Sequence, residues 1–221
     1  MRLIVEFGKE GAAQYISHLD LMRVMQRALR RADLPVEYSQ GFNPHAVLSF
    51  ATAVPVGCSS ICEVADIHFA RDVQPETFLS AMSAVLPEGM RVFRAVAAPE
   101  NAPAPMAVVE AARYRILAQS DLRGAVHAFL EAETVAAMKK GKKGMREVNI
   151  RPMVYELAAG EEGGEWFADC LLRHDNAQAL KPSLLMEALG AQTTSILRTQ
   201  LLIRKEQAWL PLYDAYERGN L

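Results

Sequence analysis

The order of apolar and polar positions along the chain divides it into two similar halves. Residues 2–7 alternate Leu3, Val5 and Phe7 against Arg2, Ile4 and Glu6, the pattern of a strand with one face in a core. After a turn at 8–11, Ser17 stands as a helix N-cap. Asp20, three residues on, is its capping-box partner, and Ile16 and Leu21 form a hydrophobic staple. That helix runs to about residue 33 and stops before Pro35. Leu19, Met22, Gln26 and Leu29 fall along one side at helical spacing, widened by Met25 and Ala28. A polar stretch at 38–45, with turn chemistry at Gly41 and Asn43-Pro44, leads to apolar segments 46–54 and 61–69, read as a hairpin. Pro75 opens a helix over 76–86 that Pro87 closes, and 90–96 makes a last strand.

The same order recurs after a stretch holding Pro99, Pro103 and Pro105. Strands are expected at 113–118, 147–157, 165–173 and 196–204, with helices at 122–138 and 182–189. Two β-α-β-β-α-β runs predict an α+β fold of two tandem ferredoxin-like domains. They would span 1–97 and 108–205, joined by a linker at 98–107 and followed by a tail at 206–221. In the tail, Trp209, Tyr213 and Tyr216 fall at i, i+4, i+7. As a helix they would form one aromatic face, either capping their own domain or docking a partner protein.

Composition adds little until charge is mapped. The 221 residues are 51% hydrophobic and 23% charged, enough to bury a core without staples. Cys58, Cys62 and Cys170 are too few and too scattered for a disulfide framework. An acid follows three apolar residues at the start, and no run approaches a membrane span, so a cytoplasmic, non-membrane protein is expected. Net charge is −2, yet six basic residues and one acid lie between Lys139 and Arg151, leaving 18 basic against 25 acidic residues elsewhere. One basic segment on an acidic body points to a local anion-binding patch.

Few residues suggest chemistry of their own. Cys58 and Cys62 share the spacing that opens a CxxxCxxC cluster motif, but Ala65 holds the third position, and two thiolates do not complete such a site. No P-loop, GxGxxG, HExxH or nucleophile elbow occurs, and His68, His127 and His174 show no metal-ligand spacing. Neither a cofactor nor a metal is therefore expected, and the balance leans away from an enzyme. His18, in the first helical turn, and His45, ending the Gly-Phe-Asn-Pro loop, are the candidate acid–base pair for metal-independent RNA cleavage. A polar first-turn histidine is equally ordinary. The basic residues make the better candidate site. Arg23, Arg27, Arg30 and Arg31 line one helix, with Tyr38 and Phe42 nearby to stack bases. Lys139, Lys140, Lys142, Lys143, Arg146 and Arg151 follow in the second half as phosphate contacts. A solvated loop and a solvent-facing helix would carry the same charges.

The run Ser17-His18-Leu19-Asp20-Leu21-Met22-Arg23, then Arg27-Ala28-Leu29-Arg30-Arg31-Ala32, then Tyr38-Ser39-Gln40-Gly41-Phe42-Asn43-Pro44-His45 with Leu48-Ser49-Phe50-Ala51 and Pro55-Val56-Gly57, resembles the radical SAM-linked protein family. Ile150-Arg151-Pro152, Leu197-Arg198-Thr199 and the Lys-Lys-Gly-Lys-Lys segment also look like it, so the similarity spans nearly the whole chain. Ala46 departs from it, standing where a proline would follow the histidine. The family is a bacterial domain of unknown function found beside, or fused to, a radical SAM enzyme. The resemblance implies such an enzyme as partner, with this chain as a noncatalytic accessory or substrate-binding protein that binds RNA. A weaker, fold-level similarity is to CRISPR repeat-processing endoribonucleases, whose glycine-rich C-terminal loop has no counterpart at 194–204. The alternatives are a metal-independent endoribonuclease using His18 and His45, and a pure protein-interaction module.

Overall fold

The structure is a computed structural model. It describes residues 1–141 and 144–221, apart from the side chain of Lys140. It has a mixed α+β fold in two compact units. One comprises Met1–Val109 with Gln200–Leu221, the other Glu110–Thr199.

The first unit begins with β1 (Arg2–Lys9), α1 (His18–Arg31), β2 (Leu48–Phe50), β3 (Ser59–His68), α2 (Pro75–Ser83) and β4 (Met90–Ala98), followed by a short helix α3 (Pro105–Val108). Strands pair antiparallel in the order β4-β1-β3-β2, with Leu3 opposite Ile67 and Ala97, and Leu48 opposite Ile67. Leu3, Val5 and Phe7 join Leu21, Met25, Leu29, Phe78 and Met82 in one core between sheet and helices. Ser17 caps α1 as its sequence predicts, accepting from the Asp20 backbone N–H at 3.2 Å. The buried face, however, is Leu21, Met25, Ala28 and Leu29, and Leu19 is 67% exposed. Two apolar phases overlap on this helix. The one that also faces the sheet is the one buried.

Alternation in β1 predicts one buried face, but both are covered, since Ile4 and Arg2 are inside as well as Leu3 and Phe7. The second face is covered by segments distant in sequence. Arg2 donates to the carbonyls of Pro99, Ala102 and Pro103 and makes two bonds, 2.7 and 2.8 Å, to the buried Asp66 carboxylate. A helix from the tail, Leu212–Glu217, packs on β1 and β4.

The second unit contains β5 (Ala111–Ala118), α4 (Arg123–Glu131), β6 (Ala136–Gly141), β7 (Gly144–Asn149), β8 (Val154–Glu162), β9 (Glu165–Arg173) and α5 (Pro182–Ala188). β10 (Thr193–Lys205) starts in this unit and ends in the first. The sheet order is β10-β5-β9-β8, antiparallel between β5, β9 and β8. The helix expected over 122–138 ends at Glu131, and residues 136–141 turn back with β7 as a two-stranded ribbon. Thr134 and Val135 are β-branched, and ribbon pairing gives 136–140 hydrogen-bond partners, outweighing the helix preference of its Ala, Met and Lys. The Asn149 side chain fixes the ribbon's base by accepting from the Val135 and Arg151 backbone N–H groups at 2.9 and 3.1 Å.

After β10, β11 (Ala208–Pro211) pairs back on Leu202–Lys205, and α6 (Leu212–Glu217) ends the chain. No helix among the described residues is long and apolar enough to cross a membrane.

Candidate anion-binding site

Burying Leu21, Met25 and Leu29 turns Arg23, Arg27 and Arg30 outward on the opposite side of α1, at i, i+4 and i+7. Arg23 donates to Asp20 at 2.8 Å, and Ser17 donates to the same carboxylate at 2.7 Å. The Ser17 hydroxyl first, then Arg23, hold the Asp20 carboxyl below its usual range. Arg27 and Arg30 make no hydrogen bond or ion pair among the described residues.

Facing these arginines is the segment 38–46. Tyr38 bridges Ala46, and the Ser39 N–H donates to the His45 carbonyl at 2.9 Å. The Ser39 hydroxyl meets His45 Nδ1 at 3.0 Å and accepts from the His45 N–H at 3.2 Å. These bonds close the base of the 40–44 loop. Gly41, at φ +143°, takes a backbone conformation that L side chains rarely adopt. Between helix and loop lies a cavity of about 260 Å³, walled by Arg23, Arg27 and Arg30 on one side and Tyr38, Pro44 and His45 on the other, with Gln26 and Ala46. Among the described residues three guanidiniums and no carboxylate line it, and with Asp20 offsetting only Arg23 its field is positive and suited to an anion.

The remaining sequence candidates fall in different places. Phe42 is fully exposed at the loop tip and lies outside the cavity wall, as does Arg31. His18 packs edge-on against Phe50, with ring centroids 5.7 Å apart, and among the described residues no hydrogen bond or ring contact joins it to His45. In the second unit Lys139 and Arg146 are directly opposed across the ribbon. They line a second cavity of about 240 Å³ with Asn149 and Gln178. Lys139 donates to the Ala179 carbonyl at 2.8 Å, while burial first, then Arg146 and Lys181, push its ammonium below its ordinary value. Lys140 lies in β6, and Lys142 and Lys143 lie outside the described residues. Arg151 folds inward onto the Leu130 and Val154 carbonyls at 3.2 and 3.4 Å, over the Phe129 ring, so its charge serves the unit's own packing.

The tail aromatics separate. Tyr213 lies under the Arg94 guanidinium, 4.2 Å from ring centroid to Cζ. Tyr216 donates to the Pro103 carbonyl at 2.5 Å. Both are buried in the first unit, and Trp209 is half-buried in β11 beside Arg204. Gln26 and Gln178 are wall residues that sequence pattern alone does not pick out as functional. A glutamine on an apolar stripe, one turn from two arginines, is a usable signal for the first. Gln178 is far from Lys139 in sequence and has none. Among the described residues no cluster of three or more His, Cys, Asp or Glu could hold a metal ion.

A family described as "Uncharacterized protein conserved in bacteria (DUF2344)" matches residues 2–182. No curated protein matches the chain significantly. Among solved structures, a crystal structure of an unknown protein from Galdieria sulphuraria is similar over 86% of this chain and 86% of its own. Its identity is 15% and its TM-score 0.25.

Proposed function

This chain belongs to the DUF2344 family of uncharacterized proteins conserved in bacteria, and we propose that it is a noncatalytic, RNA-binding accessory protein that presents substrate to a radical SAM enzyme. The observation that carries the RNA half is the cavity walled by Arg23, Arg27 and Arg30, of which only Arg23 is bonded to a carboxylate among the described residues, beside the half-exposed ring of Tyr38. Guanidiniums take phosphate oxygens in pairs, and an open aromatic ring stacks a base. The opposed Lys139 and Arg146 of the second unit support it. Like charges facing each other across a ribbon weaken it unless an anion sits between them.

The partner half rests on the sequence resemblance in 17–57. The enzyme would supply cluster and radical, and this chain the anion-binding surface. Each unit is read as a ferredoxin-like domain, which the strand orders β4-β1-β3-β2 and β10-β5-β9-β8 support. Three buried free thiols fit a reducing cytoplasm.

The test is the salt dependence of single-stranded RNA binding. With about four to six phosphate contacts, log K should fall against log salt with a slope of about −3 to −4. Arg27→Gln with Arg30→Gln should flatten that slope by about 1.4. Binding that is absent at low salt, or indifferent to salt, overturns the reading. RNA incubated with the protein in EDTA should stay intact. Cleavage lost on His45→Ala would instead support the nuclease alternative. Co-expression with the candidate radical SAM enzyme should give a complex that survives purification, and two separate species would remove the partner half.

A further inference from the structure

The arginine cavity is not isolated. His45 and Ala46 also wall a neighbouring cavity of about 200 Å³, lined otherwise by Ser39, Val47, Leu48, Ser49, Asp66 and His68. The two differ in chemistry. The first is cationic with an aromatic edge. The second is largely apolar, with a few hydrogen-bonding groups along its wall. Asp66 is buried, each of its carboxylate oxygens accepts one bond from Arg2, and Oδ1 also faces His68 Nε2 at 3.6 Å, so the lone pairs of Oδ2 are the ones open to another donor. The ridge between the cavities is held by the paired hydrogen bonds of His45 with Ser39. Together the cavities reach the scale of small-ligand sites, about 300–1,000 Å³.

We propose that these adjoining cavities form one site for a terminal nucleotide, its phosphomonoester among Arg23, Arg27 and Arg30 and its base beyond the His45 ridge. This deepens the RNA reading and rests on it. A phosphodiester within a strand carries one negative charge, whereas a phosphomonoester carries about −1.5 to −2 at neutral pH. Arg23 is already paired with Asp20, which Arg27 also attracts at longer range, and Arg27 and Arg30 stand one turn apart with no hydrogen bond or ion pair among the described residues. A row of guanidiniums gives an isolated helix nothing, since like charges at this spacing repel. Two guanidiniums that line one cavity and bond no carboxylate among the described residues match a dianion better than the single charge of a passing backbone. The apolar, polar-edged neighbour is suited to a flat ring with amino or imino donors, which Asp66 and Ser49 can accept. Either a 5′ or a 3′ end supplies this chemistry.

The experiment compares one short RNA carrying a 5′-phosphate, a 3′-phosphate or only hydroxyl ends, together with a nucleoside monophosphate, its nucleoside and inorganic phosphate as competitors. One phosphorylated end should bind about tenfold tighter than the hydroxyl-ended strand, as expected for added charge-assisted bonds, and which end it is assigns the polarity. Arg27→Gln with Arg30→Gln should bring that ratio to about one, with Arg91→Gln on β4 unchanged. Both arginines are exposed and make no hydrogen bond or ion pair among the described residues, so the variant should fold, and its melting temperature checks this. Ser49→Phe, which fills the second cavity, should weaken the nucleoside monophosphate and leave inorganic phosphate unaffected. Equal binding of all three strands overturns the terminal-nucleotide site and leaves RNA binding standing. Tight nucleoside monophosphate binding that needs Arg27 and Arg30, with no RNA bound, keeps the site and ends the RNA reading. If neither RNA nor nucleotide binds, both fall.

Discussion

His174 shows how one side chain ties this structure to pH. Its Nδ1 is sealed from solvent with no hydrogen-bond partner among the described residues, and burial first, then the nearby Arg198, push its pKa down to about 4, with Asp175 opposing. In the unfolded chain the imidazole titrates at about 6.5. Above that pH both states are neutral and the residue has no effect. As pH falls toward 4 only the unfolded chain takes up the proton, so stability is lost through that window, on the order of 2 kcal/mol between pH 7 and pH 5. Urea unfolding at the two pH values should show this loss in the wild type and a smaller one in His174→Gln. A second expectation concerns the thiols. Cys58, Cys62 and Cys170 are all buried, and burial raises the Cys170 thiol to about 12. Reaction with a disulfide reagent at pH 8 should therefore be slow for all three until denaturant is added; a fast-reacting thiol in the native protein would contradict their burial. At this scale Arg23, Arg27 and Arg30 are legible in the sequence because charge at helical spacing is a local signal. The buried partnership of Arg2 with Asp66 is not, since its members are far apart along the chain.

Among the elements, α1 depends on its start. Ser17→Ala removes the acceptor for the Asp20 N–H and should cost about 1 kcal/mol, read as a drop in urea midpoint. The turn before β4 is more demanding. Gly89 has φ +82°, and a Cβ there would lie 2.5 Å from the Glu10 carbonyl oxygen. Gly89→Ala should thus cost about 2 kcal/mol or more, combining backbone strain with a clash against rigid main chain. Capping, proline placement and alternation are short-range, which is why α1, α2 and most strands can be placed from the amino-acid sequence. The 122–138 segment cannot. Its residues suit a helix taken singly, and only pairing with Gly144–Asn149 makes a ribbon of its second half.

For the molecule as a whole, the first unit is discontinuous in sequence. It needs Gln200–Leu221 as well as Met1–Val109. α6 buries Leu212, Tyr213, Ala215 and Tyr216, and Arg94 bonds Glu6, Asp214 and Glu217 together. Removing residues after Lys205 would take these apolar groups away and uncover the surface of β1 and β4 on which they pack. The truncated chain should lose thermal stability and bind a hydrophobic dye. A truncated form that melts at the wild-type temperature would show the tail to be dispensable. The segment 98–107, proline-rich and linker-like by composition, is likewise packed, because its carbonyls satisfy the buried Arg2 guanidinium.

From the residues alone came the mixed class of elements, most of their positions, the capped first helix with its row of arginines, and the gathering of positive charge in a second segment. Each depends on neighbours within a few residues, where periodicity and side-chain chemistry act directly. Tertiary structure alone decided which apolar phase of α1 is buried, that both faces of β1 are covered, that Arg151 turns inward, and that Gln178 joins a cavity wall. Those outcomes depend on segments scores of residues apart competing to bury surface and satisfy buried polar groups, and no local pattern records which of them wins.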